Sequence, residues 1–187
     1  MLFGANVGKR VDDLVSAVDN RDNERFFAAL RGIVAATPKA RPDEVDAALA
    51  RLTPVLAEIP FGMGGDLAQI AGSMADYGTD PAVVVPTLVG RAADAMEQAA
   101  RFAALYGAAF GDLPDADDPE QIGPTIDRFV DTAPDRSMAQ QDAHILVQAW
   151  YSGGQWVQPV LYLSQRKDVR AMLPERPPAH RRHRRDA

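Results

Sequence analysis

The amino-acid sequence predicts an all-α fold, with one helical domain over residues 1–173 and a disordered tail over residues 174–187. Apolar side chains recur at three- and four-residue steps through most of the domain, which is the period of amphipathic helices. Aromatic residues make up only 7% of the chain, so we expect the helices to pack mainly through alanine, valine and leucine. Seven or eight helices are expected.

Helix-terminating residues delimit the first three predicted helices, over about 9–18, 22–36 and 42–59. Pro38 ends the second because the residue before a proline avoids the helical region, and Pro60 ends the third. The second helix is expected to bury five apolar residues: Phe26, Phe27, Leu30, Ile33 and Val34.

The middle of the chain is predicted to contain a glycine-rich loop, Phe61 to Gly65, before a helix that begins at Asp66. The longest helix is expected from Pro81 to about Tyr106, where the apolar period continues for some seven turns. Its paired alanines widen the contact face, so this helix is also a candidate surface for self-association.

The last part of the domain is predicted to hold a short helix from Pro124, a helix over about 137–151 and a turn at residues 152–154. The apolar residues that follow could form a strand, but a lone strand would have no partner. We therefore expect a final helix with Pro159 in or near its first turn.

Two architectures remain open for these helices, a bundle and a short HEAT-like solenoid of helical hairpins. A proline followed two residues later by Leu or Ile occurs four times, at steps of 32, 38 and 35 residues, and helical-hairpin repeats have periods of roughly 34 to 47 residues. The four prolines are Pro54, Pro86, Pro124 and Pro159.

Composition restricts the classes of function. The chain has no cysteine, which excludes disulfides and thiolate chemistry and is compatible with a reducing cytoplasm. No apolar run approaches the roughly 20 residues of a membrane span, so we expect no membrane contact. The net charge of −6 argues against broad binding to a phosphate backbone. The bias toward arginine and alanine suggests a bacterial source.

The sequence indicates no catalytic, cofactor or metal site, and this favours a protein that is not an enzyme. His144 could act as a base at the edge of a pocket, but Asp142, two residues away on a helix, points in a different direction. The acidic stretch 112–123 lacks the central glycine of a calcium loop. The Phe61 to Gly65 loop lacks the Lys-Ser/Thr pair of a phosphate loop. A small-ligand-binding protein or an enzyme with a pocket near His144 is the alternative.

The favoured function is non-catalytic: an interaction or adaptor module that presents a helical surface to a partner protein. Trp and Tyr are preferred anchors at interfaces, and the aromatic residues concentrate near the end of the domain. The candidate contact residues are Phe61, Met63, Trp150, Tyr151, Trp156 and Tyr162. Core packing is the competing role for the last four, and the balance of residue types favours it.

The tail offers a further alternative, weak contact with nucleic acid, because it is rich in arginine. Because this small number of arginines can neutralise only a few phosphates, the affinity would be modest and would depend on the salt concentration. The arginines that would make it are Arg181, Arg182, Arg184 and Arg185.

Overall fold

A computed structural model describes residues 6–131 and 139–173, and it confirms the all-α fold. These residues form eight α-helices, three 3₁₀ turns and no strand. The predicted tail, with its four candidate arginines, lies outside the described residues. The helices are α1 (Val7–Asp19), α2 (Asn23–Ala36), α3 (Pro42–Glu58), α4 (Phe61–Met74), α5 (Val85–Phe110), α6 (Ile122–Asp131), α7 (Gln140–Leu163) and α8 (Lys167–Arg170).

The helices pack side by side, and their contacts fit both of the architectures that the sequence leaves open. In a solenoid each repeat contacts only its neighbours in sequence, and the main contacts here join the pairs α1–α2, α3–α4 and α5–α7 in that order. Here α7 packs along both α5 and α4, which brings Gln158 within 2.9 Å of Gln69. The proline spacing does not mark a structural repeat, since Pro54 and Pro159 lie inside helices whereas Pro86 lies in a first turn.

Side-chain caps set the starts of α1 and α2, and α1 begins two residues before the start that the sequence predicts. The Asn6 side chain accepts a hydrogen bond from the Lys9 backbone N–H, and Asp22 accepts one from Arg25. These bonds satisfy backbone donors that the first helical turn leaves unpaired. Pro42 occupies the first turn of α3, a position where its missing N–H costs no hydrogen bond.

The buried apolar side chains form two clusters. The larger lies among α1 to α5 and the second half of α7, and it includes the fully buried Phe26 and Trp156. The smaller lies where α5, α6 and the first half of α7 meet, around Phe102 and Phe129. The described helices include none that is long and apolar enough to cross a membrane.

The expectation of a loop from Phe61 to Gly65 is wrong, because α4 begins at Phe61 directly after Pro60. Glycine inside a helix costs roughly 1 kcal/mol relative to alanine, which is why the sequence suggests a loop. In the fold, Gly64 and Gly65 are buried against α7, and the close approach of that helix offsets the cost.

The expectation of a turn at residues 152–154 is also wrong, since α7 continues from Gln140 to Leu163. The Ser152 hydroxyl donates a hydrogen bond to the Gln148 carbonyl of the preceding turn at 2.7 Å. Gly153 is buried, and its nearest neighbour on α5 is Met96. Pro159 therefore lies near the end of a long helix and not in the first turn of a short one.

Three glycines, which we call the glycine edge of α4 (Gly64, Gly65 and Gly72), hold α4 and α7 in close contact. A β-carbon on Gly64 would lie within 3 Å of the Trp156 ring and 2.6 Å from Ile59 Cγ2. A β-carbon on Gly72 would lie 2.5 Å from Pro159 Cβ. No side chain larger than hydrogen fits at either position without movement of α7.

Asp46 of α3 holds the segment between α4 and α5 against α3 through hydrogen bonds. Its carboxylate accepts hydrogen bonds from the backbone N–H and the hydroxyl of Thr79 and from the backbone N–H of Asp80. Partial burial raises the pKa of Asp46, but these bonds outweigh that effect and leave the pKa below its ordinary value.

Replacement of Gly72 by alanine is expected to destabilise the fold by about 1–3 kcal/mol, because the added methyl group overlaps Pro159. The matched control is Gly90→Ala on α5, where a β-carbon meets nothing within 4 Å and the change should stabilise by about 0.5–1 kcal/mol. Urea denaturation followed by circular dichroism measures both. Equal effects of the two substitutions would contradict the close α4–α7 contact.

Replacement of Asp46 by asparagine is expected to cost about 1 kcal/mol of stability at neutral pH, because an amide cannot accept all these bonds. The native pKa of Asp46 is lowered. The contribution of Asp46 to the free energy of unfolding is therefore complete above the unfolded-state pKa of about 4, and it is lost as the pH falls below that value. Denaturation from pH 7 to pH 3 should show the two proteins converging at the acid end. Glu97→Gln, at an exposed position on α5, is the control, and a constant difference at all pH values would contradict this role of Asp46.

Candidate functional site

An open apolar groove runs between α2 and α4. Its main lobe has a volume of about 410 Å³, and its walls are mostly apolar. We call this feature the α2–α4 groove; it is lined by Phe27, Leu30, Arg31, Val34, Ala35, Asp66, Gln69 and Ile70. Volumes of this size lie within the range of functional pockets.

A second lobe of about 240 Å³ extends the groove beyond the end of α2. It shares Val34, Gln69 and Ile70 with the main lobe, and Pro38 and Tyr77 lie at its far end. The two lobes therefore form one elongated surface.

The groove exists because α2 has more apolar residues than one buried face can hold. Adjacent residues on a helix point about 100° apart, so Phe26 and Phe27 cannot both face the core. The structure buries Phe26 completely and leaves Phe27 45% exposed. Val34, two turns further along, is 55% exposed. The expectation that Phe27 and Val34 face inward is therefore wrong.

The α4 wall of the groove remains open because α7 packs along a different face of α4. The glycine edge packs against α7, while Ile70 and Gln69 turn toward α2. Gln69 also donates a hydrogen bond to Gln158 of α7 at 2.9 Å, which fixes the boundary between the groove and the α4–α7 contact.

Tyr162 of α7 has a largely exposed side chain, unlike the five other candidate contact residues that the structure describes. It is 58% exposed, and its hydroxyl donates a hydrogen bond to Asp76. That bond, together with the negative charge of Asp76, raises the pKa of Tyr162 above its ordinary value. Tyr77, 44% exposed, lies beside Asp76 in the chain and lines the second lobe.

Two of the other candidate contact residues are buried: the expectation that Phe61 is exposed is wrong, and Trp156 packs in the core, the other role that the sequence allows for it. Trp156 is fully buried and Phe61 nearly so, and their rings meet edge to face with centroids 6.0 Å apart. The Trp156 indole N–H donates a hydrogen bond to the Phe61 carbonyl at 3.0 Å. Met63 packs against the same cluster.

Trp150 and Tyr151 are half-buried, and they pack against the smaller apolar cluster. The Trp150 indole N–H donates to the Pro114 carbonyl at 3.2 Å. The Tyr151 hydroxyl lies 2.8 Å from the Thr125 hydroxyl, and burial raises the pKa of Tyr151. The Trp150 indole N–H and the Tyr151 hydroxyl therefore both form hydrogen bonds within the domain.

The alternative site near His144 gains no partner from the fold. His144 is half-buried, and its side chain makes no hydrogen bond or ion pair within the part of the chain that the structure describes. The acidic stretch contains capping residues, since Asp115 and Asp118 accept bonds from backbone N–H groups two residues on. Among the described residues, no three His, Asp or Glu side chains are grouped as metal ligands.

A second pocket, of about 420 Å³, lies beside α5, and its most buried charge is Arg91. The Arg91 guanidinium donates to the Ile59 carbonyl at 2.6 Å and stacks on Phe61, 4.2 Å from the ring centroid. Burial lowers the pKa of Arg91, although the nearby Asp94 opposes this effect. Arg91 thus stabilises the link between α3 and α4 through Ile59 and Phe61, which is a structural role.

The chain matches no protein-family model, no curated protein and no solved structure.

Replacement of Arg91 by methionine is expected to destabilise the fold by about 1–3 kcal/mol, because the Ile59 carbonyl loses a charged donor. Arg101→Met, in the same pocket, is the control. Arg101 is exposed and forms no ion pair with any residue in 6–131 or 139–173, so the loss of stability should stay within about 0.5 kcal/mol. Thermal and urea denaturation measure both. A loss at Arg101 as large as that at Arg91 would contradict the structural role assigned to Arg91.

Proposed function

We propose that the protein is a non-catalytic interaction module whose α2–α4 groove binds an amphipathic helix of a partner protein. One observation carries the proposal: Phe27 and Val34, 45% and 55% exposed, lie on the same side of α2 and line an apolar groove. Exposed apolar surface rimmed by polar groups commonly marks a binding site. The cysteine-free composition accords with a cytoplasmic location, which we include in the proposal.

The dimensions of the groove suit a helix. Phe27 and Val34 are seven residues apart, which is about 10 Å along the axis of α2. The second lobe lengthens the surface past Val34 toward Pro38 and Tyr77. Grooves of this kind take helices whose apolar residues recur at positions i, i+3 or i+4, and i+7. A partner helix of about three turns would span the main lobe.

The energetic gain comes from apolar burial. Fully covering a valine or phenylalanine side chain that was exposed contributes about 1.5–3 kcal/mol. Phe27, Val34 and Ile70 offer such contacts from two walls, while Arg31 and Asp66 lie among them as polar groups that can orient the incoming helix. Binding would require no rearrangement of the core, because Phe26, Leu30 and Ile33 of α2 are already buried in the larger cluster.

A display library of helical peptides provides a direct test of this proposal. Selection against the full chain is expected to enrich peptides with apolar residues at helical spacing. Their affinity should fall at least about tenfold when Val34→Asp places a charge in the groove. The matched control is Leu161→Asp, which introduces the same charge at a 59% exposed residue on α7. The proposal fails if no such peptide is enriched, or if the peptides bind the Val34 variant and the parent protein equally.

A further inference from the structure

We propose that the helix bound in the α2–α4 groove is α2 of a second copy of this chain, so that the protein forms a two-fold symmetric dimer. The inference rests on the proposed function of the groove and names its occupant. In a two-fold interface the same surface serves on both copies, so each α2 would be both a wall of one groove and the helix that enters the other.

The exposed face of α2 has the pattern that such a groove requires. Phe27, Arg31 and Val34 stand at positions i, i+4 and i+7, and all three line the main lobe. Two copies of α2 crossing in opposite directions about Arg31 would bring Phe27 of each copy against Val34 of the other. The exposed Ala35 also lines the main lobe, and its small side chain lets the two helices approach.

Charge is what favours a second copy over an unrelated helix. Arg31 on α2 and Asp66 on α4 face the same lobe from opposite walls, yet they do not pair with each other. The Arg31 side chain makes no ion pair or hydrogen bond within the described residues, and Asp66 accepts only a 3.3 Å bond from Gln155. A two-fold axis would place each Arg31 in the lobe that holds Asp66 of the other copy, so that the two carboxylates offset the repulsion between the two arginines at the crossing point.

Charge reversal combined with a mass measurement tests the inference. Sedimentation or light scattering of the full chain at micromolar concentrations should give twice the 20.2 kDa of one copy. Arg31→Glu and Asp66→Arg should each weaken the dimer about tenfold or more, because like charges then meet at both symmetric positions. The double variant should recover most of the affinity, since it restores opposite charges. Circular dichroism checks that these surface substitutions leave the fold intact.

Several results would overturn the inference. A chain that stays monomeric at the highest soluble concentration excludes the second copy, while enrichment of groove-binding peptides would still support the proposed function. A dimer that is insensitive to Val34→Asp, or a double charge variant that stays as weak as the single variants, places the interface elsewhere. A peptide selected on the groove is expected to dissociate the dimer, and coexistence of dimer and bound peptide would also count against a shared site.

Discussion

The contact between Trp156 of α7 and Gly64 of α4 is the interaction on which the rest of the structure depends. The indole is fully buried against the glycine, and its N–H is anchored to the Phe61 carbonyl. Arg91 of α5 covers the same ring, with its guanidinium carbon 5.0 Å from the ring centroid. Helices α4, α5 and α7 and the segment that follows α3 thus all contact the Trp156 side chain. These contacts stabilise α7 as one continuous helix through Ser152, Gly153 and Gly154.

This contact also explains why a groove is left beside it on α4. A helix can present its backbone closely to a neighbour only where its side chains are small, and on α4 that is the glycine edge. Once α7 occupies this edge, Ile70 and Gln69 face α2. The core is filled by Phe26 and Ile33, so Phe27 and Val34 have no place in it and line the groove. The proposed binding surface is therefore a consequence of how the helices pack.

Much of the fold could be predicted from the sequence, because its boundaries are set by local chemistry. Asp22 and Pro42 act through bonds and dihedral angles within one turn, and the structure places helix starts beside both. The helical period also gave the all-α class. The Phe61 to Gly65 and 152–154 segments were misjudged because glycine and serine favour breaks in isolation, whereas here close packing with α7 and α5 compensates.

The site was harder to predict, because exposure depends on the whole fold. Large aromatic residues suggest an interface, but Phe61 and Trp156 are used by the core instead. One signal pointed to the groove: the adjacent Phe26 and Phe27 cannot share one helical face, so α2 must expose at least one of them. The sequence could not show that α4 would stand opposite that face, since this depends on the position of α7.

Nuclear Overhauser spectroscopy tests the central claim most directly, because it reports on proton pairs closer than the width of a helix. The account predicts strong cross-peaks between the α-protons of Gly64 and the ring protons of Trp156, together with an indole N–H that exchanges slowly with solvent. Absence of those cross-peaks with rapid indole exchange would contradict it, because α7 would not then lie on the glycine edge and the α2–α4 groove would have no reason to be open.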